Sequence, residues 1–156
     1  MRLIRATAAD AERICQMQRA AFSQLLEKYM DFETSPGNES VERVRQKLLQ
    51  AHTYYYIIEV NNESIGGIRV VDPKDHTAKR ISPLFILPEF RQKGYAQAAI
   101  RAVEQLHGED HWSLSTILQE RGNCRLYEKM GYRQTGQRQK LKDNMTIVFY
   151  EKEQSL

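Results

Sequence analysis

The sequence predicts a single-domain α/β fold, more narrowly α+β, over residues 1–156: a mixed central sheet of about seven strands with helices on both faces. Three observations predict it. Between Thr53 and Leu87, three strand-like segments follow one another through short turns, the pattern of antiparallel hairpins. The third runs into a helix-like segment and then another strand-like one, a β-α-β unit that needs a parallel strand pair. The 156 residues, 41% hydrophobic and 28% charged, suffice for one core without staples.

Leu3 to Ala6 reads as a short strand. Thr7 and Asp10 have the spacing of a capping box and open a helix whose stripe, Ile14, Met17, Ala21 and Leu25, continues to about Lys28. Tyr29 to Glu39 contains Ser35-Pro36-Gly37-Asn38 and reads as a loop. Val41, Val44 and Leu48 mark a second amphipathic helix. Thr53 to Val60 is rich in aromatic and β-branched residues and predicts a strand, Asn61-Asn62 a hairpin turn, and Ser64 to Val71 the return strand. Asp72-Pro73-Lys74-Asp75 is another turn, and Ala78 to Leu87 a third strand. Pro83 lacks the N–H a regular ladder needs, which predicts a bulge or a splayed edge there. A helix from Gly94 to His107 and a strand from Trp112 to Leu118 follow. A short helix then carries Asn123, Leu126, Tyr127 and Met130 on one face and ends at Gly131. Tyr132 to Arg138 and Met145 to Tyr150 are the last strands, giving the order βααβββαβαββ.

Composition narrows the function classes. No apolar run is long enough to span a membrane, and no apolar core follows Met1-Arg2-Leu3-Ile4-Arg5, so neither a membrane span nor a signal peptide is expected. Two distant cysteines, Cys15 and Cys124, make neither a disulfide framework nor a zinc site, and free thiols point to the cytoplasm. The four histidines, His52, His76, His107 and His111, lack metal-ligand spacing; no metal is expected and all four are assigned to the surface. Net charge is +3. A local excess, Arg121, Arg125, Lys129, Arg133, Arg138, Lys140 and Lys142 against Glu128, reads as a solvated basic face rather than a nucleic-acid patch, since no recognition-helix signature accompanies it.

The most informative stretch is Pro88-Glu89-Phe90-Arg91-Gln92-Lys93-Gly94-Tyr95-Ala96. It joins the apolar strand Leu84-Phe85-Ile86-Leu87 to a helix with apolar Ala96, Ala99, Ile100, Val103 and Leu106. A basic, glycine-containing turn at a helix start aims backbone N–H groups and the positive dipole end at one spot, which suits a phosphate. An ordinary strand-to-helix connection accounts for the same residues.

With Arg91-x-x-Gly94-x-Ala96 in that place and Leu126-Tyr127-Glu128-Lys129-Met130-Gly131-Tyr132 about 30 residues later, the chain resembles the GNAT superfamily of acetyl-CoA-dependent N-acetyltransferases. Ile4-Arg5-Ala6-Thr7 followed by Asp10-Ala11 extends the resemblance over nearly the whole chain. It implies acetyl-CoA as cofactor, with the main chain of Arg91, Gln92, Lys93, Gly94, Tyr95, Ala96 and Gln97 around its pyrophosphate. It implies main-chain bonds from Leu84, Phe85 and Ile86 to the pantetheine arm, laid beside the strand like an added one. It makes Tyr127 the general acid toward the departing thiolate, a role that suits a phenol with a pKa near 10. An amphipathic helix would bury a tyrosine at this position without any such role.

One departure stands out. The superfamily often carries Asn seven residues before this tyrosine, and here that position is Glu120. Asn123 either replaces the missing cofactor contact or caps the short helix, with the cap favoured. The general base is not readable; Glu59, Glu33 and a water near Ser82 are candidates. The loop between the first two helices, usually a wall of the acceptor site in this architecture, holds Tyr29, Asp31, Phe32, Glu33 and Thr34, and Tyr29, Asp31 and Glu33 are expected to meet a cationic amine. The implied activity is direct acetyl transfer to a primary amine of a small molecule or peptide. The alternative is a non-catalytic acyl-CoA-binding sensor or regulatory module. A homodimer is left open.

Overall fold

The structure, a computed structural model, describes residues 1–153. One seven-stranded sheet in the order β1-β2-β3-β4-β5-β7-β6 carries the chain. The strands are β1 (Arg2–Arg5), β2 (Thr53–Val60), β3 (Glu63–Val71), β4 (Lys79–Ile86), β5 (His111–Ile117), β6 (Arg133–Lys142) and β7 (Met145–Glu153). The helices are α1 (Ala11–Tyr29), α2 (Val41–Leu49), α3 (Tyr95–His107) and α4 (Arg121–Lys129). The expected element order holds throughout.

Alternation along β2 explains why both faces of the sheet are covered. Tyr55 and Ile57 point into a core with Ala11, Ile14 and Ala21 of α1 and Val44 of α2. Tyr56 and Ile58 point the other way, into a core with Ala99, Ile100 and Val103 of α3 and with Cys124 and Tyr127 of α4. Successive strand residues face opposite sides, so one strand serves two cores. Asn61 and Asn62 both take left-handed backbone (φ 50° and 64°), which suits the tight hairpin between β2 and β3.

Every strand pair is antiparallel except β4–β5. That parallel pair is short: only Lys79↔Trp112 and Arg80↔Ser113 are in register. Beyond Arg80 the strands part, and β4 from Ile81 to Ile86 keeps only its β3 partner. The β3–β4 register shifts between Ile68 and Val70, opposite Ile81 and Leu84, so Ser82 and Pro83 form the bulge that the proline predicts. Arg69, buried at the shift, donates from Nη1 to the Ser82 carbonyl at 2.6 Å. Gly66 and Gly67 face this segment with no room to spare; a Cβ on Gly66 would collide with the Phe85 carbonyl.

Several expectations need correcting. Tyr29 is the last residue of α1, not a loop residue, and Met30 closes the helix in left-handed conformation with its N–H on the Leu26 carbonyl at 2.8 Å. The last two strands run on to Lys142 and Glu153, past the expected ends at Arg138 and Tyr150. The polarity of β6 hid how far it runs: it is an exposed edge strand whose Arg133, Arg138 and Lys140 discourage further pairing. His107 is not a surface residue. Its Nδ1 lies 3.0 Å from the Asp72 carboxylate and its Nε2 2.9 Å from the Tyr56 hydroxyl, with the side chain only 7% exposed. Leu106, expected on the buried stripe of α3, is 63% exposed near the helix end.

Candidate active site

The parting of β4 from β5 opens the sheet, and two grooves meet in the gap. The first, about 420 Å³, lies between Leu84–Ile86 of β4, the turn before α3, and the facing sides of α1 and α4. The second, about 380 Å³, lies between Ile81–Leu84 of β4 and Ser115–Ile117 of β5, under the end of α1 and the residues that follow it. Phe22, Leu25, Leu84, Asn123 and Tyr127 line both.

The wall of the first groove at α3 is a cradle of backbone donors. Gly94 caps α3 with φ +82°, and Gln92 is left-handed as well (φ 61°). None of the N–H groups of residues 92–97 donates to an acceptor among the described residues, no side chain caps the helix, and no acidic residue occupies its first turn. α2 differs, with the Ser40 hydroxyl on its cap and Glu42 in its first turn. A Cβ built on Gly94 would meet nothing within 4 Å: the space in front of the cradle is open. Unpaired donors, a helix N-terminus and open space together fit a diphosphate. Gly94, Gln92, Tyr95, Ala96 and Gln97 line the groove; Lys93 does not, and its ammonium sits 5.9 Å from the Phe90 ring centre. Arg91 lines it too, but its guanidinium is engaged, Nε on the Ile86 carbonyl at 2.9 Å and Nη2 on the Ala21 carbonyl at 2.6 Å. It fastens α1 to the end of β4.

Leu84, Phe85 and Ile86 have no β5 partner, so the β4 edge facing the gap is free to pair with an extended ligand. Phe85 turns its ring into the α1 core, edge-on to Phe22 at 5.8 Å.

Tyr127 stands where the grooves join. Its ring packs against Tyr132 and Tyr150, centroids 6.3 and 6.2 Å away. The turn that carries it is held by the Tyr132 N–H on the Tyr127 carbonyl (3.0 Å), with Gly131 at φ +95° making the reversal. No described group hydrogen-bonds its hydroxyl, which is not among the sealed, unpartnered polar atoms either. Burial, with the nearby Cys124 thiol, pushes its pKa up to about 12. The phenol is therefore protonated at any physiological pH.

Asn123 does not cap α4. Glu120 is the cap residue, and Asn123 is the third residue of the helix, turned to both grooves. The favoured reading is thus corrected: the cap lies earlier because the Glu120 carbonyl already takes the Asn123 and Cys124 N–H groups.

Glu120, the residue at the departing position, lines the first groove. It accepts from the Tyr29 hydroxyl at 2.5 Å and the Lys28 ammonium at 2.8 Å, and so ties the end of α1 to the start of α4. Partial burial would raise its pKa, but the bonds from Lys28 and Tyr29 outweigh that and hold it below the ordinary value. A depressed carboxylate adds stability above its unfolded pKa, near 4.5, and loses it as pH falls through the lower folded value. Melting temperatures of wild type and Glu120→Gln, measured from pH 7 to 3, are expected to differ by a constant amount down to about pH 4.5 and to converge below it.

Of the expected acceptor residues, Tyr29 and Asp31 line the second groove and Glu33 does not. Glu33 and Phe32 are exposed on the far side of the loop, near Arg43 and Lys47. Asp31 accepts from the Thr34 N–H at 3.1 Å and from the Thr34 hydroxyl. Glu59, a candidate base, pairs with Arg2 at 2.6 Å away from either groove. Sequence reasoning missed Phe22, which walls both grooves, and the sheet residues Ile147 and Phe149. Only the half-buried aromatic beside the α1 stripe signalled the first.

The family model described as Acetyltransferase (GNAT) domain matches residues 23–154. The chain therefore belongs to the GNAT acetyltransferase family. It is 28% identical to N-acetyltransferase 8F1 of Rattus norvegicus over 102 residues, covering 61% of this chain and 46% of that one, and so spans about half the length of that relative. Its fold matches the PaiA N-acetyltransferase from Thermoplasma acidophilum, solved with coenzyme A (TM-score 0.76, 13% identity, 98% of each chain covered). It also matches a spermidine N-acetyltransferase chimera from Vibrio cholerae and hSSAT (TM-score 0.73, 16% identity, 99% of this chain and 96% of that one).

Proposed function

We propose that this chain transfers the acetyl group of acetyl-CoA to a primary amine by direct attack within a ternary complex. One observation carries the proposal: Tyr127, whose hydroxyl has no hydrogen-bond partner among the described residues, lines both grooves, one of which is walled by free backbone donors. Main-chain groups of residues 92–97 hold the diphosphate, and Leu84 to Ile86 offer their free edge to the pantetheine arm. Acetyl-CoA supplies an activated thioester: the neutral amine forms the C–N bond, the C–S bond breaks to release the thiolate of coenzyme A, and the surplus proton on nitrogen passes to solvent. Tyr127 donates a hydrogen bond where negative charge gathers on the departing sulfur. Asn123 lines both grooves and borders the reacting groups. The amine enters by the second groove, with Asp31 and Tyr29 along its path.

Direct attack fits the thiols. Cys124 is buried, its sulfur 3.8 Å from the Ile117 and Leu118 carbonyls, and it lines neither groove. Two buried free cysteines also suit a reducing compartment, and we place the protein in the cytoplasm on that ground. No described helix is long and apolar enough to cross a membrane.

Binding to the folded state alone raises the melting temperature. Acetyl-CoA at a hundred times its dissociation constant is expected to raise it by roughly 5–10 °C. Free thiol is then expected to appear on adding a primary amine. A thermal shift without thiol release from any amine would favour the non-catalytic binding module; no shift at all would remove both readings.

A further inference from the structure

One side of the second groove is lined by apolar side chains that neither hydrophobic core uses. The β5–β7 register sets Ile117 beside Ile147 and Ser115 beside Phe149, four side chains on one sheet face. The opposite face, with Leu114, Val148 and Tyr150, packs into the α3–α4 core. Ile117, Ile147 and Phe149 stay half-buried and belong to neither core; Leu141 and Met145 extend the same apolar surface. The groove holds one carboxylate, Asp31, which is 9% exposed and already takes two hydrogen bonds from Thr34. Lys142 is held by the Tyr29 and Met30 carbonyls, 2.8 Å from each, and is not among the groove's lining residues.

On the reading that this groove admits the acceptor, we propose that the acceptor is a monoamine carried on an apolar body about the size of one ring. A ring in the groove covers Ile147 and Phe149, and Asp31 is the one carboxylate along the path by which its amine enters, the amine losing its proton before it attacks. A volume of about 380 Å³ suits a ring with a short arm. A polyamine fits badly: its further ammonium groups would lie against hydrocarbon without a second carboxylate, and buried charge without a partner is costly.

The test compares initial rates of thiol release with 2-phenylethylamine, ethylamine and spermidine at saturating acetyl-CoA. The value of kcat/KM for 2-phenylethylamine is expected to exceed that for each of the others by about 10–200-fold, the range that apolar contact in such a pocket supplies. Phe149→Ser is expected to shrink that preference, and Ile147→Ser serves if the first variant does not fold. Spermidine turned over as well as 2-phenylethylamine would overturn the inference and leave the acetyltransferase reading standing. A preference untouched by both variants, or a change in oligomeric state alone, would overturn it too, since a second copy would then be what covers this face. No thiol release from any amine, with the thermal shift intact, would remove the transfer reading and this inference together.

Discussion

Tyr127→Phe is expected to lower turnover by about 10²–10⁴-fold while acetyl-CoA affinity barely changes. The substitution removes one oxygen and leaves the ring packed against Tyr132 and Tyr150. That oxygen holds up no structure, since no described group bonds to it, so the variant is expected to melt within about 1 °C of wild type. The magnitude has a physical limit. A phenol whose pKa burial raises to about 12 is a weaker acid than an ordinary thiol, so complete proton transfer to a free thiolate runs uphill. In the proposed mechanism Tyr127 therefore acts chiefly by donating a hydrogen bond to sulfur as the charge develops, inside a site where such a bond counts for more than in water. A pH consequence follows. Because the folded pKa is raised, the phenol keeps its proton through neutral and mildly alkaline pH, and ionisation of Tyr127 should put no falling limb on the rate profile below about pH 11. Single-turnover rates with wild type and Tyr127→Phe, each with a measured dissociation constant for acetyl-CoA, check both parts. Unchanged turnover in the variant would remove Tyr127 from the chemistry.

What the sequence made legible follows period and turn chemistry. The β2–β3 hairpin was readable because aromatic and β-branched residues flank Asn61-Asn62, and both asparagines take the backbone that such a turn needs. The bulge at Ser82-Pro83 was readable from a missing N–H. The cradle was readable because glycine at the junction of a strand and a helix has few other uses. The second groove was not. Its walls come from α1 and the residues after it, β4, β5, α4, β6 and β7, which are far apart in sequence and meet only in the fold. In sequence, Ile147 and Phe149 look like any alternating strand residues, and nothing local says that one face of β7 lacks a covering helix. The loop after α1 misled for a related reason. Tyr29 and Glu33 share composition and proximity, but the helix end turns Tyr29 inward to Glu120 while Glu33 falls on the exposed side. The buried pair Asp72 and His107 escaped because the residues are 35 positions apart and each reads singly as a polar end residue.

Gly94 is where binding and backbone strain can be separated. Its φ of +82° costs a β-branched residue about 1–2 kcal/mol, so Gly94→Val is expected to melt roughly 2–8 °C lower. Its second effect is steric. The space a side chain would fill is open in the protein, and in the proposed mechanism the diphosphate takes it. Loss of two charge-assisted bonds, at roughly 1.5–3 kcal/mol each, corresponds to acetyl-CoA binding about 10²–10⁴-fold weaker. Gly94→Asn divides the two effects, because asparagine tolerates left-handed backbone yet still carries a Cβ. It is expected to melt near wild type and to bind acetyl-CoA far more weakly. Calorimetric titration of the three proteins with acetyl-CoA, beside their melting curves, makes the comparison. If Gly94→Asn bound as tightly as wild type, the open space before α3 would not be where the diphosphate sits. The free N–H groups of residues 92–97 would then need another partner, and Tyr127 would lose the thioester that its position is proposed to serve.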